Sequence, residues 1–541
     1  MSIIDKSILE TTAKHEEDIG RAPSLEKSQY YTTQGAHRAE ELEKNMTVNE
    51  ALKLWWPAAV YSVAISTGII MEGYDNLLLA QFYAMPSFCK KYGSMGPNGK
   101  YEIPAKWQAG LSNGCLAGEI IGLHLNAYAI ERFGYRKTLI YSLGAIICFI
   151  NILFFSKNIV MLLIGEILCG IPFGVFQTLT CAYASDVCPV KLRPFLTTYT
   201  NLCWVIGQLI GSGVLRCLVE RTDQWSYRIP FALQWFWPIP IALAIFFSPE
   251  SPWWLVRHGR NEEARKSLAK LTDPKGAPPE FNIDDTLDMI ILTNNIEKAQ
   301  TQGAGYRDCF KHTNARRTEI SCITWVIQNL CGSAFMGYST YFYVQAGLPT
   351  VMAFTMTLIQ YGIGFIGTVS SWYLMGQFGR RTLFGCGLFF LFIILLGIGV
   401  AGIIDNKVTG WVIGSLLVLY TLIYDCTVGP ITYSLVSEIP STRLKNKTVV
   451  LARNLFNLAG IINYVIVPFM LNPTAWNWSG KSGFFWAGVC SLCLTWTYFR
   501  LPEPRNRSYA DLDDLFERKI PARLFSSTIV TPKEQKNDEK E

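Results

Sequence analysis

Apolar and polar stretches alternate along the chain at regular intervals. Runs free of Asp, Glu, Lys and Arg cover residues 138–156, 229–247, 382–404, 411–424 extended through 426–437, and 482–499. A helix of about 20 such residues crosses a hydrocarbon core of about 30 Å. The pattern predicts twelve helices, at about 57–83, 107–129, 138–156, 159–184, 195–219, 229–247, 320–346, 350–375, 382–404, 409–436, 446–471 and 480–500. They divide six plus six around a polar segment rich in Lys, Glu, Asp and Pro. Within that segment, NEEARKSLAKL (261–271) has the spacing of a short amphipathic surface helix. The expected organisation is a tail (1–54), a six-helix bundle (55–248), a central loop with short helices (249–319), a second six-helix bundle (320–500) and a second tail (501–541).

Composition agrees with an all-α membrane protein. Half of the residues are hydrophobic and 17% are charged, with 16 Trp and 31 Phe. The first 50 residues are polar and mixed in charge, without the apolar core of a cleavable signal, so the first span is expected to direct insertion. Most of the 15 cysteines lie in apolar runs (Cys115, Cys169, Cys181, Cys203) and read as small core residues rather than a disulfide or zinc framework. Most of the 48 Lys and Arg residues fall in the tails, the central segment and the even-to-odd connections. The positive-inside rule then places both tails in the cytoplasm. The first outer loop, with Lys90, Lys91, Lys100 and Lys106, is the exception. Asn477, in NWS, is the sequon on the outer side.

The two halves repeat each other. ERFGYRKTL (131–139) follows the second helix and GQFGRRTLF (376–384) the eighth. SDVCPVKLR (185–193) ends the fourth helix and SEIPSTRLK (437–445) the tenth, in the same order and at nearly the same offset. Two parallel six-helix repeats with a binding site between them form a transporter architecture.

The chemistry lies in the few charges within the spans. From Leu54 to Cys89 the only ones are Glu72 and Asp75, three residues apart in MEGYDNLLLA. A charge at bilayer depth costs at least roughly 2.5–3.5 kcal/mol. At i and i+3 the two carboxyls share a helix face, and double ionisation in a low-dielectric site is disfavoured. Such a pair can load a proton on one side and release it on the other, or serve only as a hydrogen-bonded strut. At the cytoplasmic helix ends, Glu131, Arg132, Arg136, Asp186, Arg193 and Glu250 of one half and Arg380, Arg381, Glu438 and Arg443 or Lys445 of the other read as a gate. Ion pairs there close the inside in the outward-facing state. Topogenic charge alone accounts for the bases but not the acids.

ERFGYRK, PESPWWLVRHGRNEEA (249–264), GPITYSLVSEIP (429–440) and PEPRNRSY (502–509) resemble the sugar porter branch of the major facilitator superfamily over roughly residues 55–516. MEGYDNLLLAQFYAMPSFCKKYG, AGEIIGL and SEIPSTRLKNKTVVLARN are similar to fungal α-glucoside (maltose-type) permeases, which are proton symporters. That resemblance implies a coupling role for the E-x-x-D pair and brings the second and eleventh helices together across a central cavity. Glu119 is roughly 18 Å from the outer face and Arg453 about 10 Å from the inner face, at 1.5 Å per residue. They are expected to pair when substrate and proton are absent; backbone carbonyls are the competing partner for Arg453. Matching sugar-porter positions implies sugar contacts from Asn201, Gln208, Gln328, Asn329, Tyr338, Tyr433 and Asn457, each of which serves equally as helix–helix glue. The sequence departs from that branch at Gly376 (Glu131 in the first repeat) and at Glu166, where many sugar porters have Arg. It also departs from monosaccharide carriers at Asn329, Ala334 and Tyr433, which implies a pocket of different shape. Glu166 and Asp425 read as structural acids.

The expectation is a multi-pass plasma-membrane symporter that imports a maltose-like α-glucoside with protons by alternating access. Its partners are the sugar, protons and the lipid bilayer, with no nucleic acid, and the transport unit is a monomer. No metal, nucleotide or covalent cofactor is expected, and no phosphate-binding loop or catalytic triad points to an enzyme. A monosaccharide facilitator and a non-transporting sugar sensor are the alternatives.

Overall fold

The computed structural model describes residues 24–96, 99–189, 191–301, 306–404, 408–441, 444–505, 509–525 and 528. Arg443 and the side chain of Lys445 lie outside them. The twelve bundle helices are α1 (Trp56–Ser66 continued by Gly68–Phe82), α2 (Ala105–Phe133), α3 (Tyr135–Phe154), α4 (Ile159–Val187), α5 (Arg193–Leu218), and α6 (Trp225–Leu233 and Pro238–Phe247, joined by a 3-10 turn). They continue with α7 (His312–Leu330, Ala334–Gly337 and Ser339–Gln345), α8 (Thr350–Gln377), α9 (Arg380–Ala401), α10 (Thr409–Cys426 and Val428–Glu438), α11 (Lys445–Leu471) and α12 (Ser482–Arg500). By length and composition eight of them are apolar enough to cross a bilayer. The count is nine if Val48–Leu54 and α1, bent by 84° at their junction, form one span. The shortfall has a physical source. α2 carries Gln108, Asn113, Glu119, His124 and Asn126, and α7 is interrupted at Gly332, whose φ of +99° suits glycine.

Each half packs by the same plan. α2 lies against α4 and α8 against α10; α1 against α5 and α7 against α11. The halves meet along α2–α11 and α5–α8, two contacts that exchange under the repeat. The α2–α4 crossing is built on glycine: a Cβ on Gly118 would lie 2.9 Å from Gly170 Cα, and one on Gly122 3.2 Å from Gly174 Cα. Without a hydrophobic driving force between helices in lipid, such small-residue faces let backbones approach.

Both described tails lie at one end of the bundle, called here the tail side. Helix Ser24–Asn45 packs on Ile283–Thr301 of the central segment, fastened by Arg38, which donates to both Asp285 oxygens at 3.0 and 3.1 Å. The amphipathic stretch forms helix Asn261–Leu271, burying Ala264, Ser267, Leu268 and Leu271. After α12 the chain folds back as Tyr509–Glu517 and Ala522–Leu524, with Leu515, Phe516 and Phe525 buried. Arg316 and Arg317, at the start of α7, stack over Phe516, and Arg316 Nη1 donates to Ile520 O at 2.9 Å. On the far side the α1–α2 connection holds a small ribbon, Ser94–Met95 paired antiparallel with Tyr101–Glu102, and Asn477 is exposed. All fifteen cysteines are free.

Gly118→Val drives a side chain into the backbone of α4. It is expected to destabilise the purified protein by about 1–3 kcal/mol, read as a lower melting temperature in detergent. Gly144→Ala, where an added Cβ meets nothing within 4 Å, should leave the melting temperature unchanged or higher.

Candidate functional site

Four carboxyl groups are buried between the helices of the first half: Glu72 at 0% exposure, and Asp75, Glu119 and Glu166 at 1%. Arg453, at 8%, reaches them from α11 of the second half. Glu72 and Asp75 sit where α1 is pressed onto α5. A Cβ on Gly73 would lie 3.0 Å from Trp204 Cα, and one on Gly207 2.8 Å from Tyr74 N. This close approach fixes the direction of the carboxyls on either side of Gly73.

Gln177 of α4 is the junction of the site. Its Nε2 donates to Glu119 Oε2 at 3.1 Å and makes a short bond to Glu72 Oε1. Its Oε1 accepts from Arg453 Nε at 3.0 Å. The direct Glu119–Arg453 ion pair anticipated from their depths is not made; the Gln177 amide stands between them. Arg453 also stacks over Phe456 (4.6 Å to the ring centroid) and Trp325 (5.3 Å), and Tyr433 meets Trp325 edge-on. Cation–π contact of this kind stabilises a guanidinium that water does not reach. Asp75 belongs to a separate group, with Gln234 Nε2 donating to its Oδ1 at 2.5 Å and Glu166 as its other neighbour.

The anticipated sugar contacts fall into three sets. Asn457 is fully buried, and neither atom of its amide has a partner among the described residues; Asn201 Nδ2 is likewise unbonded. Gln208 is half-buried, two turns beyond Asn201 on the same face of α5. Gln328 and Asn329 use their amide nitrogens within the second half, donating to Gly429 O (2.7 Å) and Phe456 O (2.8 Å). Tyr338 shares a hydrogen bond with Ser112 of α2 (2.9 Å) and stacks on Tyr83, whose hydroxyl donates to Gln108 O. With Asn472 Nδ2 donating to Ile103 O (3.0 Å) and Arg216 Nε to Thr355 Oγ1 (2.7 Å), these contacts join the two halves at the far side.

The charged clusters of the tail side are built alike in each half. Glu250 accepts from the backbone N–H groups of Tyr135 (2.9 Å) and Arg136 (3.2 Å), the first residues of α3. Glu503 accepts from those of Arg380 (2.9 Å) and Arg381 (3.0 Å), the first of α9. An anion at a helix N-terminus meets both free donors and the positive end of the dipole. Gly134, at φ +84°, leaves the space: a Cβ there would sit 2.6 Å from Glu250 Oε2. Burial pushes the Glu250 carboxyl above its usual range, and the backbone donors of Ser251, Tyr135 and Arg136 oppose that shift. Asp186 accepts from Tyr135 Oη and Ser251 Oγ, and Arg380 pairs with Glu438 at 3.2 Å. Arg136 and Arg381 donate to the carbonyls of Phe246 and Tyr498, Arg132 donates to Tyr128 Oη, and Arg193 Nε donates to Cys188 O. Glu131 is exposed. In this conformation Asp186, Glu250, Arg380, Arg381 and Glu438 bond within their own halves, while the halves are joined at the centre by Gln177 and Arg453 and at the far side by the contacts above.

Sequence reading did not single out Gln177, Gln234 or Glu503. Glu503 had a signal: PEPR repeats the PESP that holds Glu250. The two glutamines had a weaker one, each being an amide within an apolar helix.

Two six-helix halves around a buried polar centre define a multi-pass membrane transporter. The xylose transporter XylE from E. coli, in a partially occluded inward open conformation, matches with a TM-score of 0.68 at 19% identity, covering 83% of this chain and 99% of that one. That likeness is one of fold, twelve transmembrane helices of the major facilitator type. The chain belongs to the sugar (and other) transporter family, which matches residues 60–516. A general alpha-glucoside permease of Saccharomyces cerevisiae is 43% identical over 503 residues, 92% of this chain and 82% of that one. Maltose permease MAL31 of the same yeast is 44% identical with the same coverage. The family is one of transporters, and the protein is not an enzyme.

Gln177→Leu keeps the bulk but removes the amide that serves three charged groups. It is expected to destabilise the folded protein by about 1–3 kcal/mol, measured by thermal melting. Glu250→Ala and Glu503→Ala each remove one helix cap and should each cost about 1 kcal/mol. Lying in different halves, they should add in the double variant to within about 0.5 kcal/mol.

Proposed function

We propose that the protein imports a maltose-like α-glucoside together with a proton across the plasma membrane by alternating access, with both termini cytoplasmic and a single chain as the transport unit. The observation that carries this reading is the Gln177 junction, which ties two acids of the first half to Arg453, a buried guanidinium of the second. Protonating Glu72 or Glu119 removes negative charge facing Arg453. The hold between the halves then weakens only when a proton is aboard. Asp75 belongs to the same coupling set, one helical turn from Glu72.

The sugar class follows from the permeases at 43–44% identity, named for α-glucosides and maltose. The pocket chemistry suits it. Asn457 and Asn201 hold unbonded amide atoms that sugar hydroxyls satisfy, and an unmade bond on a buried polar group is costly. Trp325, Tyr433 and Phe456 form a cluster of flat apolar rings against Arg453. Gln208, Gln328, Asn329 and Tyr338 complete the proposed contacts. In the opposite, outward-facing conformation the far-side contacts of Tyr338, Asn472 and Arg216 open. The tail-side clusters of Glu131, Arg132, Arg136, Asp186, Arg193 and Glu250 with Arg380, Arg381 and Glu438 then meet and close the cytoplasmic end.

The energetics suffice. One proton crossing about 100 mV contributes about 2.3 kcal/mol, and each tenfold accumulation of a neutral solute needs about 1.4 kcal/mol. The test is uptake of a panel of mono- and disaccharides with simultaneous recording of external pH. Maltose should enter uphill with alkalinisation of the medium. The triple variant Glu72→Gln/Asp75→Asn/Glu119→Gln should lose both the alkalinisation and the uphill entry. Unchanged accumulation and pH response in that variant, or wild-type uptake indifferent to a proton uncoupler, would overturn the reading.

A further inference from the structure

Glu166 lies outside the Gln177 junction, yet at 1% exposure it is as deeply buried as Asp75 and Glu119. It sits on α4, seven residues from the helix start at Ile159 on the far side. Three side chains converge there, Asp75 of α1, Cys115 of α2 and Glu166. Their carboxylate oxygens and sulfur lie within 4.8 Å of one another. Gln234 satisfies Asp75 Oδ1. As carboxylates, Asp75 Oδ2 and both Glu166 oxygens have no donor. The titratable groups facing Glu166 are Asp75 from α1, Tyr83 just past the end of α1, Cys115 from α2 and Cys169 on its own helix. No cation faces it among the described residues. Two buried anions side by side, with no facing cation and the Gln234 amide as their one donor among the described residues, repel strongly at low dielectric. A carboxylate offers only acceptors, so at this proximity the two acids can hydrogen-bond to each other only when one of them is protonated. An O–H donating to a carboxylate is then among the stronger hydrogen bonds in proteins.

We propose that Asp75 and Glu166 share one proton, and that Glu166 is a further proton-carrying residue of transport, the station between the far-side solution and the Glu72–Glu119 junction. The placement supports this order. Glu166 is eleven residues before Gln177 on α4, about 16 Å nearer the far side at 1.5 Å per residue. Asp75 is one turn beyond Glu72 in the same direction, and Cys115 Sγ lies 3.8 Å from Glu119 Oε1. The Tyr83–Tyr338–Ser112 contact stands between this pair and the far-side solution, so opening it exposes the pair first. The step balances simply. A hydronium ion from the far side gives its proton to the pair. An O–H bond on Asp75 then breaks as one forms on Glu72, and Glu166 again shares the proton that remains. All three carboxyls belong to the first half, so this transfer needs no contact with Arg453.

The inference rests on the proton-coupled reading above, and its test separates the two. In cells expressing the full chain, protons taken up per maltose are measured from external alkalinisation and labelled-sugar uptake. If the wild-type protein moves no protons with maltose, the coupling reading itself fails. If it does, Glu166→Gln should lower the protons carried per maltose at least twofold and flatten the pH dependence of uptake, and Glu166→Asp should restore the ratio and a steep pH dependence whose midpoint is displaced from that of the wild type. A wild-type ratio and pH profile in Glu166→Gln would overturn the proposal. Should Glu166→Gln not reach the membrane, Glu166→Asp decides alone. A titrating acid shortened by one methylene must shift the pH profile, and an unshifted profile overturns the proposal.

Discussion

A positive charge held between two halves of a protein, away from water, dictates much of what surrounds it. Arg453 cannot be left alone at that depth, because removing the partners of a buried ion typically costs about 3–5 kcal/mol. Phe456 and Trp325 of its own half cover it, but the negative charge that balances it comes from the first half, through Gln177 from Glu72 and Glu119. Those acids in turn would repel one another without a cation nearby. Each half therefore supplies what the other lacks. An amide suits the junction because it both donates and accepts. It passes the influence of the guanidinium to two carboxyls without locking any of them into a direct ion pair.

The two halves share a scaffold but not a centre. At the tail side the repeat is faithful down to individual bonds, Glu250 on α3 and Glu503 on α9. In the middle of the bundle it diverges. The repeat offset places Gly364 opposite Glu119, and Gly364 leaves room for Asp425 instead. The first half concentrates buried acid, while the second presents Trp325, Tyr433, Phe456 and Asn457 beside Arg453. Duplication supplied the helix packing, and the polar centre was specialised within it.

What the sequence made legible follows from what each signal requires. Twelve helices and their duplication could be read because apolar periodicity and loop motifs are local. The buried acids stood out because a charge within an apolar run is rare. Gln177 and Gln234 did not, since an uncharged amide in a helix means little until its neighbours in space are known. Depth arithmetic put Glu119 and Arg453 at the same level, but depth does not give lateral distance, and a third side chain fits between them. Glu166 read as structural, and the neighbour it meets on α1 is 91 residues away, so only packing brings the two together. The helix breaks at Thr67, Gly332 and Thr427 were also invisible to a hydropathy count, which sees composition rather than backbone angle.

The fold-back after α12 bears on how the molecule is made. Arg316 opens the second half, yet the carbonyl that receives it belongs to Ile520, 204 residues later. During synthesis α7 enters the bilayer long before Phe516 and Phe525 have left the ribosome. Its charged base therefore waits uncovered while five more helices are threaded. The base of α7 is completed only when residues 509–525 arrive to cover it.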